Sequence, residues 1–117
     1  MNWLQQHIHW VVGAAGVWIT GNGILHDIFI LLQRRPYEKE LIRLLIDGHI
    51  LIFAGVLFIL CFKPLQENST FALVVCILNA IFILGYCALI FKMLPAIGII
   101  FISLIVLILS IKALIYS

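Results

Sequence analysis

The sequence predicts an all-α fold: a polytopic integral membrane protein, built as an antiparallel bundle of four transmembrane helices. Three observations predict it. Of the 117 residues, 65% are hydrophobic and 10% are charged, whereas a soluble domain is about half apolar and about a quarter charged. A soluble chain this short has no core large enough to hide so much apolar surface, so the bilayer has to be the solvent. The apolar residues also fall into long runs, each reaching the roughly 20 residues that a helix needs to cross the hydrocarbon. Finally, the runs lack period-2 alternation and are too long for strands, and short linkers make consecutive helices antiparallel neighbours.

The segments cover about residues 8–33, 41–62, 70–91 and 94–116, in a single domain, 1–117. In the first segment, Gly13, Gly16, Thr20 and Gly23 recur at spacings of three and four. Such spacing places them, with Asp27, on one helical stripe. Small residues on a stripe let another backbone approach closely, and glycine costs helix propensity. The stripe is therefore expected to pack, against this chain or another subunit. In the third segment Asn79 should point into the bundle, because an amide in hydrocarbon needs a partner. The fourth segment is nearly all Ile, Leu, Val and Phe between residues 97 and 111 and is expected to be the most lipid-exposed. Its Lys112 can extend its ammonium to the interface.

The linkers are residues 34–40, 63–69 and a bare turn at 92–95. Arg34, Arg35, Lys39 and Arg43 surround the first and Lys92 the third, against Lys63 and Lys112 on the other side. The positive-inside rule then places linkers 34–40 and 92–95 in the cytoplasm and both termini outside, in a bacterial inner (plasma) membrane. Trp3, Trp10 and Tyr116 would form the outer aromatic belt, and His7 and His9 read as exposed groups at that interface. The N-terminus lacks the basic stretch and cleavage site of a signal peptide, so the first segment is expected to persist. A formal charge of +2 gives no basis for nucleic acid as a partner; the expected partners are the lipid bilayer and either further copies of the chain or the subunits of a membrane complex. Cys61, Cys76 and Cys87 read as small hydrophobes. Cys76 is expected several residues deeper than Cys61, an offset that disulfide geometry does not tolerate.

The chemistry concentrates in a cluster of Asn22, His26, Asp27, Arg43, Asp47 and His49. Charged groups inside a bilayer cost several kcal/mol, so they have a partner, a water cavity or a task. With the first hairpin turning near Tyr37, His26, Asp27, Asp47 and His49 share one level, about 9–15 Å from the linker at 1.5 Å per residue. Asn22 and His26 are four apart on one face, and so are Arg43 and Asp47, which suits an ion pair. Asp47 and His49 diverge by about 200°. The simplest arrangement points Arg43 and Asp47 at Asn22, His26 and Asp27, and turns His49 toward another helix or subunit.

Four chemistries fit these residue types. The cluster can be structural. It can relay protons or cations, since histidine titrates near neutrality beside carboxylates. His26 and Asp27, with Asp47 or His49, offer mixed nitrogen and oxygen ligands to a divalent metal. His26 and His49 could ligate haem b across the hairpin. No motif requires a cofactor, and none is predicted. There is no nucleophile–base pair, phosphate loop or poised carboxylate pair, so enzyme activity is not expected.

The length and four-helix plan resemble those of small multidrug transporters. That family carries an essential glutamate in the middle of its first helix; here the position is Thr20, and the nearest carboxylate is Asp27. The cluster itself carries the functional expectation: a small oligomeric membrane protein, a proton- or cation-coupled transporter or channel-like protein working through the cytoplasmic half of its first two helices. The alternatives are an accessory subunit of a larger membrane complex, or a haem- or metal-binding redox component.

Overall fold

The computed structural model describes residues 3–92 and 95–116. They are helical apart from short connections, without strands among the described residues: α1 (Trp3–Leu32), α2 (Lys39–Leu60), the short α3 (Phe62–Gln66), α4 (Thr70–Ile90) and α5 (Ile97–Ile115). Four stretches are long and apolar enough to cross a membrane, with α2 and α3 together making the second. α1 begins five residues before the expected boundary, and the expected start of the fourth segment, Leu94, lies outside the described residues.

Local chemistry sets the ends. α1 stops where Arg34 adopts a left-handed φ of 51°, two residues before Pro36. α4 starts at Ser69, whose hydroxyl accepts from the Ala72 amide at 3.2 Å, the usual N-cap exchange. Glu40 sits in the first turn of α2, where a negative charge suits the helix dipole. Pro64 lies in the first turn of α3 and Pro95 just ahead of α5, positions that need no amide donor.

The bundle is two hairpins. In the first, α1 and α2 run antiparallel in near-backbone contact. A Cβ on Gly16 would lie 2.7 Å from the Gly55 carbonyl oxygen, and one on Gly23 2.7 Å from that of Gly48. Two pairs of glycines seven apart thus face each other, a heptad spacing that keeps the small faces opposed along the hairpin. The stripe of Gly13, Gly16, Thr20 and Gly23 packs within the chain, with Gly13 beneath the Phe62 ring of α3. In the second hairpin, Ala72, Cys76, Ala80 and Cys87 of α4 are buried, as are Ser103, Ser110 and Ala113 of α5; small residues again hold the helices close. α1 also packs on α5, joining the hairpins, whereas α2 and α4 meet sparsely. Between these two lies an apolar groove of about 520 Å³ with Asn79 on its lining. Asn79 is buried and donates to the Ala54 carbonyl at 2.9 Å, so it ties α4 to α2 where packing is thin.

Two sequence expectations change. The second linker is largely helix, and the chain turns only at residues 67–69. That shift brings Cys61 level with Cys76, and both remain free and buried. His9 is buried rather than exposed, because the Phe62 ring of α3 stands edge-on to its imidazole at 5.0 Å.

The close approach of α1 and α2 makes a direct prediction. Gly16→Ala and Gly23→Ala should each cost about 1–3 kcal/mol through overpacking. Gly21 and Gly85 have open space around them, so alanine there should stabilise by up to about 1 kcal/mol through helix propensity. Denaturant titration in mixed micelles checks the contrast; equal responses at the four glycines would contradict the hairpin register.

Candidate functional site

The six polar residues singled out from the sequence divide into two groups, on opposite flanks of α1. The divider is Gly48. α1 sits directly on its backbone, and a Cβ at this position would overlap the Asp27 carboxylate. Residues 47 and 49 therefore fall on either side of α1, which is how side chains about 200° apart both come to lie beside it.

On the inner flank, Asn22 and His26 of α1, Asp47 and Leu51 of α2, and Tyr86 of α4 line one cavity of about 450 Å³. Trp18 and residues 95–99, leading into α5, complete its wall, and the Trp18 indole lies over Gly98, where a Cβ would come within 2.8 Å. The cavity lies at the end of the bundle that carries the first and third linkers. His26 is about 9 Å, Asp47 about 12 Å and Asn22 about 15 Å from the nearest end of their helices, at 1.5 Å per residue. Beyond it the core is apolar, with Val12, Ala15 and Ile19 of α1, Ala54 and Phe58 of α2, and Cys76, Ala80 and Ile83 of α4. The arrangement is a vestibule whose lining is mainly apolar around this polar cluster, ending on an apolar plug that holds one buried amide, Asn79.

Asp47 is the centre of this vestibule. It is buried, accepts a hydrogen bond from the Tyr86 hydroxyl, and has the Arg43 guanidinium 4.0 Å away, one turn earlier on α2. An anion so placed has a donor and a counter-charge but keeps a face on the cavity. His26 makes a 3.0 Å hydrogen bond between Nε2 and the Leu44 carbonyl, so that nitrogen carries the proton and Nδ1 is left as a base. Asn22 donates to Trp18 O of its own helix at 2.7 Å, which leaves its amide oxygen as an acceptor. The set offers a carboxylate, an imidazole, an amide oxygen and a phenol, which suits a proton or a small cation.

On the outer flank, Asp27 pairs with His49, not with Arg43. Its Oδ2 is 2.8 Å from His49 Nδ1, while Oδ1 is buried without a hydrogen-bond partner. The expectation that Asp27 joins Arg43 and Asp47, with His49 turned away from α1, is thus corrected. The reason is the missing side chain at Gly48, across which the Asp27 carboxylate reaches.

The proposed ligand sets are not assembled. Among the described residues no three His, Cys, Asp or Glu side chains are grouped to hold a metal ion. His26, Asp27 and His49 are split between the two flanks. Only His26 of the two candidate haem ligands lines the cavity. Tyr86 and Trp18 are the site residues that the sequence reading left out. Tyr86 had a signal, being seven residues after the inward-facing Asn79; Trp18 had none beyond its place one turn before Asn22. No protein-family model matches the chain, and no curated protein or solved structure matches it significantly.

Two bonds of different kind separate by mutation. Tyr86→Phe leaves the Asp47 carboxylate short of a donor and should cost about 1.5–3 kcal/mol, the range for hydrogen bonds to charged groups. Asn22→Ala removes a bond within one helix and should cost less than about 0.5 kcal/mol. Unfolding of the two purified variants in mixed micelles reads the difference directly.

Proposed function

We propose that the chain is a polytopic protein of the bacterial inner membrane that moves a proton or small cation, and that Asp47 is the carboxylate that receives it in the vestibule. The observation that carries this reading is the convergence of Asn22 and His26, Asp47, and Tyr86, from three different helices, on one cavity. Buried ionisable groups are expensive in a membrane and are kept where they serve a pathway. The greater number of basic residues beside linkers 34–40 and 92–95 supports a cytoplasmic vestibule with both termini outside. His26 is placed to exchange the proton with Asp47's side of the cavity, and Arg43 balances the carboxylate when it is empty. Passage beyond Asp47 requires the apolar plug to open, and the sparsely packed α2–α4 contact is the side that gives most readily. A second reading, an accessory subunit of a larger membrane complex, is favoured by one observation: the exposed imidazole of His49 on the outside of the bundle.

Reconstitution into liposomes enclosing a pH-sensitive dye, under an imposed potential, tests the proposal. Wild-type protein should dissipate the gradient. Asp47→Asn should fall to background while eluting and folding as wild type. Asp27→Asn, away from the vestibule, should instead lower stability or assembly with flux per folded protein retained. A wild type without flux, or an Asp47→Asn variant with full flux, overturns the reading.

A further inference from the structure

The outer flank of α2 carries a group that the vestibule does not use. His49 is ten residues from the start of α2 and eleven from its end, and its side chain is 72% exposed. Among the described residues it is the only exposed ionisable side chain more than two turns from both ends of its helix. In the bilayer, this position lies about 15 Å along α2 at 1.5 Å per residue. A lipid tail there offers its imidazole nothing.

The ring is also oriented. Nδ1 is 2.7 Å from the Leu45 carbonyl and 2.8 Å from Asp27 Oδ2. Both are acceptors, so Nδ1 carries the hydrogen, and Nε2 points out of the bundle. A carboxylate behind an imidazole fixes its tautomer and its ring orientation.

His49 lies on a seam. Ile42, Ile46, Phe53, Val56 and Leu60 are all exposed, and with His49 they follow one another at spacings of four, three, four, three and four. At 3.6 residues per turn they fall within an arc of about 80°. This is the a/d pattern of a coiled coil, in which a single polar residue sets register and partner number.

We propose that this seam is the contact between two copies of the chain, related by a two-fold axis along the membrane normal, with His49 meeting His49 of the second copy. All copies insert with one topology, so two α2 helices meet in parallel. A two-fold axis then places identical residues opposite each other at identical depth. Each ring, held from behind by its own Asp27, presents Nε2 across the axis, where one proton or water shared between the two nitrogens joins them. Among the described residues, no other ionisable side chain at this level is exposed. The inference rests on the membrane reading but is independent of any role for the vestibule.

Site-directed oxidative cross-linking in native membranes tests it. Ile46→Cys, Phe53→Cys and Val56→Cys should each give a disulfide-linked dimer with copper phenanthroline. Ile81→Cys on α4 and Ile108→Cys on α5 should not, nor should the wild type, whose cysteines are buried. In detergent, His49→Leu should weaken dimerisation about threefold to thirtyfold, the range for an interhelical polar contact, and His49→Gln, which can still donate and accept, should restore it. Tryptophan fluorescence confirms that both variants stay folded. Cross-linking at the control positions as strong as at the seam, a monomer at all concentrations, or seam cysteines that trap a different protein and never a second copy would each overturn the proposal. Release of the protein by alkaline extraction would instead remove the membrane reading beneath it.

Discussion

The arrangement of this molecule depends on one close approach, that of α1 to the backbone of α2. Glycines seven residues apart on each helix remove the side chains that would hold the axes apart. Dispersion contacts and the helices' own satisfied backbones then suffice to hold the pair in a medium that supplies no hydrophobic drive. Everything polar follows from this. Because α1 rests on Gly48, residues 47 and 49 must pass it on different sides. One turn of α2 thereby serves two separate environments, an inner cavity with Asp47 and an outer surface with His49.

The two carboxylates show how environment assigns different roles to the same chemical group. Asp47 faces a cavity, keeps company with a phenol, and has a guanidinium nearby. Asp27 is wedged between helices, with one oxygen on His49 and the other against bare backbone. The first arrangement leaves open space beside the carboxylate. The second leaves none and acts only through the imidazole that it orients.

Much of the fold was legible in the sequence, because in a membrane the composition and length of a segment constrain it more than any packing detail. The helix stretches, the inward turn of Asn79 and the level shared by the histidines and aspartates all follow from periodicity and rise. The pairing within the cluster was not legible. Angles on ideal helices describe where a side chain starts, but Asp27 reaches His49 through space that exists only because residue 48 is glycine. His9 was misread for a related reason: α3, a helix hidden in what reads as a linker, brings Phe62 back over it. Tyr86 completes the vestibule from a helix remote in sequence; its spacing from Asn79 places it on the inward face but does not say that it meets Asp47.

The polar groups are divided between the hairpins in chain order. Asp27 and His49 both lie in the first hairpin, so their pair needs only α1 and α2. Asp47 is different. It enters with only Arg43 for company, and its phenolic donor arrives some forty residues later with α4. Asp47 is thus made well before the donor that completes its set of partners. The residue at the centre of the vestibule is also one that ties the first hairpin to the second.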